Sequence, residues 1–326
     1  MSIDVGIWGL AHGHIWAMAK GLVEAGACIR SVYDADEAAA QSFCKDFPTA
    51  QRVDSPEHLL NDPRISLIAS AAIPSERAGI GLQALAHGKH FFAAKALCTT
   101  LVDLEALMAA QQKTKLQVQA WFCERLASPA TLRAQELVMQ GAIGKVVHLT
   151  GFGPHRLGAG RPDWFWNRRE SGGILCDLAS HQCEQFLAFA GDPETKVVNA
   201  RTNKRPDGFE TFGELSLLGA GVSAYSRVDW LSSEGLKSWG DGRLFLVGTE
   251  GSIEVRKNLD ITRSDQGGHL FLVNRDGERY EQIPSAPDQY FRRLINDCLE
   301  GGNTALPQAR CFAATRLSIQ AQMMAG

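Results

Sequence analysis

Residues 171–181 read Ser-Gly-Gly-Ile-Leu-Cys-Asp-Leu-Ala-Ser-His, so a carboxylate, Asp177, stands four residues before an imidazole, His181. On a helix that spacing puts both side chains on one face, where they can act as a pair. An imidazole titrates near neutral pH and suits abstraction of a proton from an alcohol, while Gly172 and Gly173 let a backbone approach a flat ligand. The plainer account of the same two side chains is a helix-capping acid and an ordinary polar residue. A metal shell from His181 with Asp177, Glu184, Cys176 or Cys183 is a third account. It lacks a second histidine-rich helix, and no metal site is expected.

Two further groups carry chemistry. Lys95 ends the strand-like run Phe92-Ala93-Ala94, and residues at the carboxyl ends of parallel strands line a ligand crevice. A lysine there can hydrogen-bond a reacting hydroxyl and stabilise negative charge as its proton leaves; otherwise it is a solvated strand-end lysine. The second group is the turn Gly9-Leu10-Ala11-His12-Gly13-His14, placed between a strand pattern and a helix pattern. Such a turn aims backbone N–H groups at a pyrophosphate. Against G-x-G-x-x-G, Gly9 matches, Ala11 and His14 replace the second and third glycines, and Gly13 sits one place early. Gly9, Ala11, His12, Gly13 and His14 are therefore the candidates for holding a dinucleotide. Asp34, at the end of the next strand, is placed to accept hydrogen bonds from an adenosine ribose. An acid there repels a 2′-phosphate and no Arg or Lys follows in Asp34-Ala35-Asp36, so NAD is expected over NADP. Residues 161–169 cluster aromatics and guanidinium groups, which suits a polyol or sugar. His155, Arg156, Arg161 and Trp164 are the substrate candidates, with plain packing of Trp164 the competing account.

These side chains need elements to hold them. The first third alternates β-branched runs with helical periodicity, the pattern of βαβ units in an α/β fold with a parallel sheet. Strands are expected at 3–8, 28–33, 65–72, 89–94 and 116–122. The first helix has Ile15, Met18, Ala19 and Leu22 on one face, and others are expected at 36–46, 75–87 and 100–113. They close a doubly wound nucleotide-binding domain over residues 1–122. Residues 123–326 form the second domain, for substrate binding and oligomerisation. There a helix at 130–140 precedes strands at 145–153, 196–202, 211–218, 222–230, 243–247 and 252–255, whose hairpin-length separations predict a largely antiparallel sheet. A helix over 174–189 carries Asp177 and His181, and helices at 288–300 and 308–323 finish the chain.

Composition bounds the alternatives. A chain of 326 residues, 45% hydrophobic and 21% charged, exceeds what one compact core serves, so two domains are the default. Lys and Arg total 33 against 36 for Asp and Glu, a formal charge of −3, which provides no basic field for nucleic acid. The longest apolar stretch, 65–74, has about half the length a bilayer-spanning helix needs, and no basic segment opens the chain. No membrane partner and a cytoplasmic location are expected. Eight scattered cysteines with no C-x-x-C read as reduced thiols.

Taken in order, these features resemble one family, the glucose-fructose oxidoreductase, inositol dehydrogenase and rhizopine-catabolism oxidoreductases (Gfo/Idh/MocA). The resemblance covers essentially the whole chain. It rests on the Gly9 turn, Asp34, Ile73-Pro74, Gly88-Lys89-His90 ahead of Lys95, Gly141-Ala142-Ile143-Gly144, Trp164, Gly172-Gly173, Asp177 to His181, and Gly248-Thr249-Glu250-Gly251. It implies an amino-terminal Rossmann domain and a carboxyl-terminal α/β domain with a large, mostly antiparallel open sheet used for homo-oligomerisation. It also implies oxidation of a sugar or cyclitol alcohol by a nicotinamide cofactor, and adds Ile73, Pro74 and Lys95 to the cofactor-binding residues. In the expected reaction His181 removes the hydroxyl proton, Lys95 polarises that oxygen and Asp177 orients the pair. The chain departs from the family where Glu-Lys-Pro becomes Ala94-Lys95-Ala96 and Asp-x-Gly-x-His becomes Asp177-Leu178-Ala179-Ser180-His181. Two other activities fit the same resemblance, a cofactor-retaining enzyme that cleaves glycosides and a non-catalytic dinucleotide-binding sensor. Retention of Lys95, Asp177 and His181 argues against the sensor; Ala94 and Ala96 argue for it.

Overall fold

The structure is a computed structural model that describes residues 2–191, 194–219, 221–285 and 289–326. It divides into two compact units: Met1–Trp121 with Arg169–Ser171 and Asp288–Phe312, and Phe122–Arg168 with Gly172–Pro287 and Ala313–Gly326.

The first unit begins β1 (Asp4–Trp8), α1 (His14–Glu24), β2 (Cys28–Tyr33), α2 (Glu37–Asp46), β3 (Gln51–Arg52), α3 (Pro56–Asn61) and β4 (Ile65–Ser70). It continues α4 (Arg77–Ala86), β5 (His90–Ala94), α5 (Leu101–Thr114) and β6 (Val118–Trp121). The strands pair in parallel in the order β3-β2-β1-β4-β5-β6, the doubly wound arrangement whose strand order reverses beside β1. A sheet covered by helices on both faces needs near-continuous apolar strands, and β4 is buried along all but one of its residues. Helix α1 buries Ile15, Met18, Ala19 and Leu22, the stripe its spacing predicts. Asp36 starts α2 by accepting from the N–H groups of Ala38 and Ala39 at 2.9 and 3.1 Å. β3 and α3, which are short, were not expected from periodicity.

The second unit holds α6 (Cys123–Leu126), α7 (Pro129–Met139), β7 (Val146–Pro154) and α8 (Asp163–Trp166). After α9 (Arg168–Ser171), of which Arg169–Ser171 belong to the first unit, come α10 (Ile174–Asp177), α11 (Ala179–Ala190), β8 (Lys196–Lys204), β9 (Glu210–Gly219), β10 (Val222–Asp229), β11 (Arg243–Gly248) and β12 (Gly251–Arg256). β13 (His269–Asn274) and β14 (Gly277–Gln282) complete an eight-stranded sheet in the order β14-β13-β12-β11-β7-β10-β9-β8. It is antiparallel except where β10 runs parallel to β7. Helix α11 packs against β7, β9 and β10, and α7 against β12 and β13.

Several expectations need correction. The single helix over 174–189 is two, joined at Leu178; the N–H of His181 donates to Leu178 O at 3.3 Å, a three-residue reach that tightens the turn. β13 and β14 lie in a stretch read without strands, because the charged residues of Gly277–Gln282 mask its alternation. The chain also returns to the first unit through α12 (Gln289–Glu300), so residues 123–326 are not one block. Phe291 of α12 packs where Gly21 of α1 leaves room, 2.2 Å from where a Cβ would stand, and its ring meets Phe92 and Trp121. Asp288, expected to open this helix, lies outside the described residues. α13 (Gln308–Ala325) ends the chain.

Candidate functional site

The glycine turn of the first unit is built by close approach. Gly9 has φ +91, and a Cβ on it would stand 2.5 Å from Ala72 Cβ and 2.8 Å from Ala72 Cα, so only glycine fits. Its N–H donates to Tyr33 O at 2.9 Å and its carbonyl accepts from Ala71 N at 3.1 Å, which ties the turn to the ends of β2 and β4. The N–H of His12 donates to Ala71 O, and the N–H of His14 donates to His12 Nδ1 at 3.1 Å with the two rings edge to face. Ala11 and Gly13 are exposed, and their N–H groups have no hydrogen-bond partner among the described residues. A Cβ on Gly13 would meet nothing within 4 Å. Exposed backbone donors beside a bare glycine at the start of a helix fit a dinucleotide pyrophosphate. Asp34 accepts from Leu10 N at 2.6 Å through Oδ2 and from Asp36 N at 2.7 Å through Oδ1. It is thus pinned beside the turn, with carboxylate lone pairs left for ribose hydroxyls. Ile73 is half-buried and Pro74 buried, and Ile73 O accepts from Glu76 N at 2.9 Å.

Lys95, also in the first unit, is 3% exposed, so it is not a solvated strand-end lysine. The Lys95–Ala96 peptide is cis. The backbone on both sides of Lys95 is gripped by Arg77 of α4, a fully buried guanidinium whose Nη1 donates to Ala94 O at 3.0 Å and Ala96 O at 2.8 Å. Its Nε donates to Ala72 O at 2.8 Å, so one side chain links the carbonyls framing Lys95 to the loop that carries Ile73 and Pro74. Ala94 and Ala96, on either side of Lys95, are thus joined by an arginine cross-brace.

The second unit carries Asp177 and His181. Asp177 is half-buried at the end of α10, and its carbonyl accepts from Ser180 Oγ at 2.7 Å. His181 is 1% exposed; its Nε2 lies 3.9 Å from Cys123 Sγ and its ring stands edge-on to Phe122. Of the substrate candidates, Arg161 lies over the rings of Phe165 and Trp230 at 4.8 and 5.2 Å and donates from Nε to Leu157 O at 2.6 Å. Burial lowers its pKa, against the opposing pull of Asp177. Arg156 is committed to the 233–238 loop, donating to the carbonyls of Leu236 and Ser238 and pairing with Glu234. His155 packs against Trp239 and Trp230, with Nδ1 3.1 Å from Gly153 O. Trp164 is half-buried, edge-on to Phe165.

Sequence reasoning missed a cluster beside His181. Glu124 of α6 is buried, and its Oε2 accepts from Lys257 Nζ at 2.9 Å and from Gln182 Nε2 at 3.0 Å. Burial alone would raise the Glu124 carboxyl, but Lys257, His181 and His155 outweigh it and hold it at about 2. Next to it Arg125 donates from Nε to Glu184 at 2.7 Å in a buried pair. The one available signal was Gly151-Phe152-Gly153, since two bare positions on one face of β7 announce something packed against that face. Arg77 was equally silent, lost in an ordinary helical pattern. Among the described residues no group of three or more His, Cys, Asp or Glu could hold a metal, no disulfide links the eight cysteines, and no helix is long and apolar enough to cross a membrane.

Residues 4–122 match the family described as "Oxidoreductase family, NAD-binding Rossmann fold", and residues 131–254 match "GFO/IDH/MocA C-terminal domain". A solved structure from Erwinia carotovora atroseptica is 42% identical over 99% of both chains, with a TM-score of 0.96. The uncharacterized oxidoreductase YdgJ of Escherichia coli is 29% identical over 83% of this chain and 82% of its own length. The D-xylose dehydrogenase of Paenarthrobacter nicotinovorans is 28% identical over 45% of this chain, and the match spans only 38% of that enzyme's length.

Proposed function

Because this chain belongs to the Gfo/Idh/MocA oxidoreductases, we propose that it transfers a hydride between a ring hydroxyl of a sugar, sugar derivative or inositol and NAD. The observation that carries this reading is the joint retention of Lys95, Asp177 and His181 with both Lys95 and His181 buried. A proton-transfer histidine withdrawn from water exchanges its proton with the reacting oxygen rather than with solvent. When bound, the nicotinamide supplies the hydride acceptor. In this reading the exposed N–H groups of Ala11 and Gly13 hold the pyrophosphate and Asp34 the adenosine ribose. His181 takes the hydroxyl proton, Lys95 polarises the same oxygen, and Asp177 orients the pair. Arg161 and Trp164 meet the sugar, His155 shapes the pocket wall, and Arg156 holds its loop.

The preference for NAD is electrostatic. In this reading Asp34 repels a 2′-phosphate, and Glu170 and Asp34 add to burial in raising the pKa of Glu76. The D-xylose dehydrogenase match favours a sugar over other alcohols.

A second copy of the chain is the proposed partner, on one face of the eight-stranded sheet. Strand register sets Val273, Val247 and Leu218 in one row across that face and Tyr280, Phe271, Phe245 and Tyr225 in the next. Val273, Val247, Leu218 and Tyr280 are each more than 40% exposed, a band that association would bury. A cytoplasmic location belongs to the same proposal.

The test is absorbance of reduced nicotinamide with NAD or NADP across a panel of sugars and cyclitols. Turnover with NAD that is lost in Lys95→Ala and in His181→Ala supports the reading. Unchanged turnover of the best substrate in both variants refutes it.

A further inference from the structure

The Glu124 cluster has no part in the reaction just proposed, yet it is built. Gly151 and Gly153 of β7 make room for it: a Cβ on Gly151 would stand 2.2 Å from Gln182 Oε1, and one on Gly153 would stand 2.9 Å from Gln182 Nε2 and 3.4 Å from Glu124 Oε1. The side chains of Glu124 and Lys257 are 3% and 6% exposed. An ion pair withdrawn to this degree costs several kcal/mol of desolvation per charge, so stability alone is a weak reason to keep it. Its geometry is also one-sided. Oε2 accepts from both Lys257 and Gln182, whereas the buried Oε1 has no hydrogen-bond partner among the described residues. Gln182 is the residue next to His181 on α11, and Glu124 is next to Cys123, whose sulfur lies 3.9 Å from His181 Nε2.

We propose that Glu124 is a positioning residue for His181: its carboxylate, clamped through Oε2 by Lys257 and Gln182, stabilises the protonated imidazole that His181 becomes on accepting the substrate proton. This rests on the reading of His181 as proton acceptor. The Coulomb interaction is mutual, so the imidazole that helps keep Glu124 ionised is itself favoured in its charged form by Glu124. Lys257 opposes that effect and sets its size. Among the described residues the other charged and titratable groups near the pair include Cys123 and Arg125 of α6, the last bound to Glu184 of α11, and His155, which follows β7.

The test is the titration of His181 in the full-length protein, followed by NMR of labelled histidine with His181→Gln as the assignment control. Glu124→Gln should lower the proton affinity of His181 roughly tenfold, since an opposite charge at short range shifts a pKa by about one unit or more. Lys257→Met should raise it. The acid limb of kcat/KM should move the same way in each variant, which a merely structural role would not produce. Where Glu124→Gln fails to fold, Lys257→Met and the double variant, which buries no lone charge, carry the test, with the double variant falling below Lys257→Met. Titrations that stay put, or that move in one direction for both single variants, overturn the proposal. If His181→Ala keeps full turnover, the proton-acceptor reading fails while the titration still reports on Glu124. If His181→Ala is inactive and the titration is flat, only the Glu124 proposal fails.

Discussion

Replacing Arg77 with methionine should separate the frame around Lys95 from Lys95 itself. Arg77 is fully buried and donates to three carbonyls, those of Ala72, Ala94 and Ala96, at 2.8 to 3.0 Å. Methionine matches the arginine in length but donates nothing, so three buried acceptors lose their donor at about 1–3 kcal/mol each. Removing a buried cation returns several kcal/mol of desolvation. The difference is a net loss of roughly 3 kcal/mol, about a hundredfold in the ratio of folded to unfolded protein. In urea, where a slope is about 1–3 kcal/mol per molar, the midpoint of the first unit should fall by about 1 M or more. Fluorescence-detected unfolding measures it, since Trp8, Trp16 and Trp121 lie in that unit. Turnover of the remaining folded protein should fall as well, because the carbonyls on both sides of Lys95 are no longer held. Arg77→Lys should recover part of both losses through one donor. An unchanged midpoint in Arg77→Met would refute the idea that this guanidinium holds the turn.

Three other outcomes follow from the same geometry. Gly9→Ala must place a Cβ 2.8 Å from the Ala72 backbone at φ +91, and should cost about 2–4 kcal/mol in unfolding free energy and weaken NAD binding measured by calorimetry; an unperturbed affinity would count against the turn as the cofactor site. The Glu124 carboxyl is held at about 2 against an ordinary 4.5, so the stability it lends is complete above about 4.5 and is lost as pH falls toward 2. Thermal melts between pH 5 and 3 should therefore drop more steeply for the wild type than for Glu124→Gln. Cys183 is fully buried, and burial raises its thiol pKa strongly, so native-state alkylation read by mass spectrometry should leave it unmodified while the half-exposed Cys28 and Cys44 react.

Much of the first unit was legible because its signals are local. A βαβ unit writes its strands as short apolar runs and its helices as stripes three and four residues apart, and both are properties of neighbouring residues. The buried set of α1 matches the predicted stripe for that reason. Gly9 and Asp34 were equally readable, since a tight turn after a strand and an acid ending the next strand occur at a fixed chain distance. The second unit was less legible where exposed polar side chains line a strand, as in β14, and where a helix bends without a proline, as at Leu178.

The sequence by itself therefore determined the α/β order, the Rossmann sheet, the glycine turn and the identities of Lys95, Asp177 and His181, because each leaves a periodic or motif-like trace. The tertiary structure alone decided what surrounds them. Arg77 reaches 19 residues along the chain to Ala96, and Lys257 reaches 133 residues back to Glu124. Each of these residues has an unremarkable local pattern, since a long polar side chain is compatible with helix or strand whether it ends in water or on a buried partner. Pairing of this kind is set by which backbones pack together, and desolvation then makes the chosen partner obligatory. That is why the candidate side chains could be named from the chain, while the buried charges beside them could only be found in the fold.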